Sequence, residues 1–578
     1  MPTLARRFGV LAVLCACVTR AFGQATTESA NAPAYQPLRE RDEAGRVVGP
    51  ERAGWWNDVV FYEVFVRSFF DSREGPKAGD GIGDLRGLID RLDYLNDGDP
   101  TTDTDLGIGG IWLMPVMRSP SYHGYDVVDY LSIEEDYGTN EDFKLLVDAC
   151  RKRGIRVIID LVMNHTSSRH PAFIASMEPE APEREWYIWT DANPGYRGPW
   201  GQQVWHRPRG ERGGEGPAAS GFYYGLFGGD MPDLNFRSPA ATEMMLGVTR
   251  HWLTEYAIDG YRLDAVRHLI EEGRQQDNTL ATHEWLKNYR SFYKGVNAGA
   301  MCIGEIWAST EVASSYVGDQ VDLAFEFDLA QAMIDSARTG DAGRYRAAMD
   351  KVLRFFPPNQ YGTFLTNHDQ TRVMTQLRRN PGAMRVAAAL LLTGPGVPFM
   401  YYGEEIGMTG DKPDPDLRTP MQWETEGAAG FTAGTPWRTV NADAAKGVSV
   451  AAQTIDPDSL LSWYRRLIRL RAGVPALASG SYTPIETGSP AVVAYHRSSG
   501  SGHGAVVVIN LSAKAVDAYG LTLPASELRD KSGMTFLIGA EGAVPRPRLD
   551  DRGGFRVWRP LDPLPPHGVV VVEVIGPP

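Results

Sequence analysis

Four acidic residues stand where short apolar runs end: Asp160 in Asp-Leu-Val-Met-Asn-His, Asp264 in Arg-Leu-Asp-Ala, Glu305 in Gly-Glu-Ile-Trp and Asp369 in Asn-His-Asp. His165, Arg262 and His368 accompany them. Any one such carboxylate is as readily a helix cap or a solvated side chain. Together with an Arg and two His, they are the parts needed for acid–base chemistry at a sugar acetal. There an oxocarbenium-like transition state requires one ionised carboxylate and one protonated one. Asp264 suits the ionised role, because neighbouring Arg262 favours the charged form, and Glu305, buried beside another anion, suits the protonated role. Double displacement with retention needs such a pair roughly 5 to 5.5 Å apart, a separation that side chains on adjacent strands can supply.

The elements that must position these groups follow from periodicity. Apolar runs at 59–69, 108–115, 155–162, 260–265, 301–306, 323–327, 362–366 and 397–402 read as strands. Between them, stretches such as 140–153, 241–256, 341–356, 381–392 and 459–472 carry apolar residues at helical spacing. Eight strands alternating with helices predict an α/β fold, a (β/α)8 TIM barrel, whose strand carboxyl ends converge on one catalytic face. The rhythm breaks at 165–236, a long stretch rich in Gly, Pro and Trp, expected to be a functional insertion after the third strand. Beyond residue 473, short β-type runs at 491–496, 505–511 and 569–574 predict a C-terminal antiparallel β domain. The expected division is a leader at 1–23, a linker at 24–52, the barrel at 53–164 and 237–473 around the insertion, and the β domain at 474–578.

Composition narrows the partners. The chain has 578 residues, 43% hydrophobic, and a net charge of −14, against the basic footprint that nucleic acid or an anionic membrane surface would need. Arg6 and Arg7, an apolar run at 8–18 and Ala21-Phe22-Gly23 have the layout of a secretory signal, too short to span a bilayer. The expectation is therefore export, to the periplasm or beyond the cell, with no integral membrane span. Leu14-Cys15-Ala16-Cys17 offers a second version, a lipoprotein anchored through Cys17. Cys150 and Cys302 lie in helical and strand contexts and read as inert buried thiols rather than a disulfide or a metal pair.

The motifs at 160–165, 260–268, 304–307 and 364–369, with Met231-Pro232-Asp233-Leu234-Asn235 near the end of the insertion, resemble in order those of the α-amylase superfamily, family 13 of the glycoside hydrolases. The resemblance covers about 55–472. It implies Asp264 as nucleophile, Glu305 as general acid/base and Asp369 as transition-state stabiliser. It further implies Arg262 beside the nucleophile, Asp160 in the same site, and His165 and His368 on the sugar of subsite −1. Tyr125 matches the aromatic that stacks on that sugar, and Arg267 and His268 match a basic pair lining the +1 and +2 subsites. The insertion at 165–236 would be the family's domain B and the tail its β-sandwich domain C.

The same resemblance implies structural calcium. Asn164 corresponds to a ligand between barrel and insertion, or to a side chain that hydrogen-bonds the loop. Asp71, Asp80, the Ile82 carbonyl and Asp84 resemble a second calcium loop, interrupted at 73–78, with a plain acidic turn as the other reading. Oligo-1,6-glucosidases of the family carry an Asp where this chain has Tyr122, and a Val where it has Ala265. These departures point to a retaining endo-acting α-1,4 hydrolase of starch or maltodextrin, a monomer with an α-glucan as its partner. The 231–235 motif resembles a subfamily between amylases, oligo-1,6-glucosidases and neopullulanases, and 403–423 resembles a stretch shared with trehalose synthases. An exo-glucosidase and a transglycosylating isomerase therefore remain as enzymatic alternatives. A catalytically silent glucan-binding barrel is the alternative of another class, and the presence of Asp264, Glu305 and Asp369 counts against it.

Overall fold

The structure, a computed structural model, describes residues 54–208, 221–500 and 502–576, together with a short backbone pairing of Glu40–Arg41 with Val47–Val48. The expected leader and, apart from that pairing, the linker lie outside the described residues.

Eight strands form one parallel sheet: β1 (Phe61–Val64), β2 (Gly110–Leu113), β3 (Arg156–Leu161), β4 (Gly260–Leu263), β5 (Met301–Gly304), β6 (Leu323–Ala324), β7 (Gly362–Thr363) and β8 (Val397–Tyr401). β8 pairs with β1 on one side and β7 on the other, and a parallel bridge from Phe325 to Gly362 closes the ring between β6 and β7. This is the (β/α)8 barrel that the alternating pattern predicts.

Strand side chains alternate with a period of two, and that alternation builds the site. Phe61, Trp112, Ile158, Met301, Ile303, Leu323 and Phe399 fill the barrel as a buried apolar plug, while Tyr62, Ile111, Ile159, Tyr261 and Cys302 face the surrounding helices. Two residues beyond a plug residue on the same face come Glu63 after Phe61, Asp160 after Ile158 and Glu305 after Ile303. Arg262 and Asp264 continue the face begun by Gly260. Charged groups are thus stacked directly on a dry floor, whose large side chains each contribute roughly 1.5–3 kcal/mol on burial. Gly260 is required where β4 meets β5: its φ is +154°, and a Cβ there would lie 1.8 Å from the Met301 carbonyl oxygen.

All eight strands are shorter than their apolar runs suggest, and two show why. The run at 59–69 leaves the sheet after Val64 and becomes a helical turn, Val66–Phe69, and the run at 323–327 stops at Ala324, with a helix, Phe327–Thr339, capped by the Glu326 carboxylate. In both places the βα loop is itself buried, so apolar character continues where pairing does not.

The insertion leaves after β3 and returns to its starting point. His165 pairs with Asp233, Tyr187 with Leu234, and the Leu234 N–H donates to the Asn164 carbonyl at 2.9 Å. Within it, Phe222–Tyr224 is the central strand between Trp189–Thr190 and Trp205–His206, over a small core of Val204, Trp205, Tyr224 and Leu226. At the C-terminus, β9 (Ser481–Pro484), β10 (Val492–Gly500), β11 (His503–Asn510), β12 (Leu521–Leu523), β13 (Gly533–Ile538), β14 (Phe555–Trp558) and β15 (Val569–Ile575) form antiparallel sheets, β9-β10-β11-β15-β13 and β12-β14. Their inner faces share a core around Val506, Leu521, Trp558 and Val572. Cys150 and Cys302 are buried and free. Among the described residues no helix is long and apolar enough to cross a membrane.

Candidate active site

Arg262 organises the carboxyl end of the barrel. It projects from β4 opposite Asp160 of β3, and its Nη1 donates to both Asp160 oxygens, at 2.8 and 3.0 Å, and to Asp264 Oδ1 at 2.6 Å. Its Nη2 lies 2.9 Å from Glu305 Oε2. One guanidinium therefore spans Asp264 and Glu305, which fits the short carboxyl separation of retaining glycosidases better than the wider gap that leaves room for a water. Sequence reasoning assigned Arg262 to Asp264 alone; the structure has it touching three carboxylates.

A second charged group adjoins the first. His368 is sandwiched between anions: its Nδ1 is 2.5 Å from Glu63 Oε1, and its Nε2 is 2.7 Å from the Tyr125 hydroxyl and 3.2 Å from Asp369 Oδ2. Tyr125 donates onward to Asp160 Oδ2 at 3.0 Å, and its ring stacks against His368. Arg418 donates from Nη2 to Asp369 Oδ1 at 2.8 Å and from Nε to the His368 carbonyl at 3.0 Å. His165 contributes to Tyr125 rather than to the carboxylates, its Nε2 lying 3.1 Å from the Tyr125 carbonyl. Arg267 and His268 sit one turn past Asp264, in the short helix Val266–His268 at the rim. Arg267 is tied to Asp277 and to the Trp307 carbonyl, and His268 Nδ1 is 2.9 Å from the Gln276 carbonyl.

The charges do not cancel. Glu63, Asp160, Asp264, Glu305 and Asp369 are grouped with Arg262, Arg418 and His368, so carboxyl groups outnumber cations and the cluster favours holding a proton. Burial and the nearby anions Asp264 and Asp369 raise Glu305 against the opposing pull of Arg262. Burial also raises Asp264, again offset by Arg262 through charge and hydrogen bond, and it lifts Asp160 to about 7. Asp369 goes the other way: burial would raise it, but the His368 imidazolium and Arg418 hold it well below the usual carboxylate range. His368 is correspondingly raised to about 10, Asp369 and Glu63 overcoming the effect of burial, whereas burial takes His165 down to about 4. The centre thus holds a firmly ionised Asp369, a neutral His165, and an Asp264–Glu305 pair able to share a proton between an attacking and a donating role.

Local backbone strain aims one further donor. Ala265, directly after Asp264, has φ 50° and ψ 33°, a left-handed conformation that costs a side-chain-bearing residue about 1–2 kcal/mol. That turn points its N–H at Glu305 Oε2, 3.1 Å away.

The expected metal ligands separate into two cases. In the acidic loop, Asp71 accepts from the Gly79 and Gly81 N–H groups and the Thr432 hydroxyl, Asp80 from the Ile82 N–H, and Asp84 from the Ser72 and Gly87 N–H groups, capping a helix. These carboxylates accept from the amides of a turn and of a helix start, and among the described residues no group of three or more His, Cys, Asp or Glu side chains is placed to hold a metal ion. Asn164 differs. Its Nδ2 donates to Asp233 Oδ2 at 3.0 Å, while its Oδ1 is buried without a partner. An orphaned carbonyl oxygen beside a buried carboxylate, with Glu271 close enough to raise Asp233 further, is chemistry that suits a hard cation.

Two groups of the centre were not singled out from the sequence. Glu63 was hidden inside an apolar strand, where an isolated charge is itself a signal. Arg418 was visible in Arg418-Thr419-Pro420-Met421-Gln422-Trp423, but its contact with Asp369 was not.

Comparisons with known proteins agree with this geometry. The family described as "Alpha amylase, catalytic domain" matches residues 63–480. Alpha-amylase 3 of Dictyoglomus thermophilum is 35% identical over 449 residues, 76% of this chain and 82% of that protein. Trehalose synthase/amylase TreS of Mycolicibacterium smegmatis is 35% identical over 503 residues, 78% of this chain and 81% of its own. Among solved structures, the alpha-amylase from H. orenii superposes with a TM-score of 0.74 at 36% identity, covering 89% of this chain and 99% of the other. On the barrel, the carboxylate cluster and these matches, the chain belongs to the α-amylase family, family 13 of the glycoside hydrolases.

Proposed function

We propose that this enzyme is a retaining, endo-acting hydrolase of α-1,4-glucosidic bonds in starch-type glucans. Glu305 gives its proton to the glycosidic oxygen as the C1–O bond breaks, and an Asp264 oxygen bonds to C1 on the opposite face. Water then attacks C1, losing a proton to the Glu305 carboxylate and releasing Asp264, so configuration is retained. Arg262 steadies the ionised nucleophile, and Asp369, kept anionic by His368 and Arg418, faces the positive charge that develops on the ring. Tyr125 and His165 complete the sugar's wall.

Tyr122 carries the endo reading. It is half-buried, its ring 5.5 Å from that of Trp437 at 27°, with Arg418 5.8 Å from its centroid. An aromatic wall presents no carboxylate at that position to grip a terminal sugar's hydroxyls, so a chain is free to continue past subsite −1. The assay is a time course on soluble starch. Iodine staining and viscosity should fall well before much reducing sugar appears, and isomaltose should be cut about tenfold or more slowly than maltotriose. Glucose as the sole early product, with isomaltose preferred, would refute it.

A second reading, intramolecular transfer that converts maltose to trehalose, is favoured by the likeness to a protein named trehalose synthase/amylase. Trehalose formed from maltose would establish it. The proposal also includes a structural Ca²⁺ held by Asn164 and Asp233, and export of the protein as a monomer, by the signal-like leader or as a lipoprotein.

A further inference from the structure

Tyr125, His368, Asp369 and Arg418 form one bonded group of the centre; Glu305 and the Ala265 amide, with His268 three residues further along the chain, form another. Because Glu305 must reach the departing oxygen, the leaving part of the substrate runs toward His268. Trp200 stands there. Its ring is 5.6 Å from the His268 imidazole and 5.8 Å from Phe227, and Phe227 lies 5.3 Å from His165. Trp200 is 62% exposed, an unusual condition for a tryptophan.

Its loop is built to hold it. The Gly198 N–H donates to the Gln202 carbonyl and the Gly201 N–H to the Gly198 carbonyl, both at 2.9 Å. Gln202 Oε1 accepts from the Trp200 N–H at 3.0 Å while its Nε2 donates to the Leu226 carbonyl at 3.1 Å. Gln276, whose carbonyl meets His268, donates to the Arg197 carbonyl at 3.1 Å and so ties this turn to the barrel rim. A fixed, exposed indole beside the path of a neutral polyol matches the apolar CH face of a pyranose.

We propose that Trp200 is the stacking platform for glucose units on the leaving-group side of the scissile bond. It thereby raises affinity for longer chains and the share of glycosyl transfer to sugar rather than water. The inference rests on the α-glucan reading above and adds the residue that governs its chain-length preference.

The test compares substrates that do and do not occupy that side. In the Glu305→Gln protein, Trp200→Ala should weaken maltopentaose binding by calorimetry roughly five- to tenfold. With Glu305 intact, Trp200→Ala should leave turnover of α-maltosyl fluoride unchanged, since fluoride fills no leaving-side subsite, and Trp200→Phe should recover most of the lost affinity. Equal losses with both substrates, or no loss with maltopentaose, overturns the proposal. A wild type that turns over α-maltosyl fluoride but neither binds nor cuts maltopentaose fails the polymer reading instead. Trp200 is then decided by adding maltose to the fluoride reaction: a smaller transfer fraction in Trp200→Ala supports the platform, and an unchanged one overturns it.

Discussion

Replacing Glu63 by Gln tests the electrostatics of the centre. Glu63 and His368 are both buried, and their 2.5 Å contact, with Asp369 on the far nitrogen, keeps the imidazole charged up to about pH 10. Gln retains an acceptor of similar shape but removes the charge. A buried hydrogen bond to a charged group is worth about 1.5–3 kcal/mol, so that is the expected loss at neutral pH. Its pH dependence is the sharper expectation. A His whose pKa is raised on folding stabilises the native state fully below its unfolded value of about 6.5, and that contribution is lost as pH rises through the folded value. The wild-type advantage over Glu63→Gln in thermal unfolding should therefore be greatest at pH 6 and fall as pH rises toward 10. The whole fall should not exceed the lost contact's worth of about 1.5–3 kcal/mol, because Asp369 still raises His368 in the variant. kcat should fall as well, because a less firmly charged His368 holds Asp369 less firmly ionised. A Tm difference that stays constant from pH 6 to pH 10 would refute the reasoning, since the pair would then contribute packing alone.

Three further outcomes follow from the geometry. Asp264→Asn should abolish turnover, and NMR of the wild-type reaction should detect the α-anomer first; initial β-anomer would mean inversion. Ala265→Val should cost about 1–2 kcal/mol in thermal unfolding, because a β-branched residue enters a left-handed conformation, and Ala265→Gly should be no less stable than wild type. EDTA should lower Tm by withdrawing a cation that binds only the folded neck at Asn164 and Asp233. An unchanged Tm with no metal by elemental analysis removes calcium from the account.

The barrel was legible because its two periods, alternating strands and amphipathic helices, are written locally. The ends of the strands were not. Residues after Val64 stay apolar because the βα loop is buried, and burial reads the same whether or not the backbone is paired. The candidate site was legible where a group lies at or just past the end of an apolar run and inside a motif, as Asp160, Asp264 and Glu305 do. Glu63 was missed because its apolar run continues to residue 69, so that in sequence it stands mid-run, and only barrel closure brings β1 beside the loop bearing His368. The acidic loop shows a complementary limit. Spacing lists the carboxylates of Asp71, Asp80 and Asp84 but does not say whether their oxygens face a cation or the amides of their own turn.

The stem of the insertion has a consequence for how such an enzyme changes over generations. Because His165 pairs with Asp233 and Leu234 binds back to Asn164, the segment leaves and returns through one closed neck, with the Gln276–Arg197 bond as a further tie to the barrel rim. Lengthening, shortening or exchanging that lobe leaves the neck's own pairing intact, and with it the backbone that carries His165. The lobe also carries Trp200 and Phe227, so a graft at the neck would alter what lies beyond the reacting bond while leaving the acid–base groups in register. New preferences can then arise by transplanting one segment, with the Gln276–Arg197 tie at the rim as a contact the new lobe would have to match.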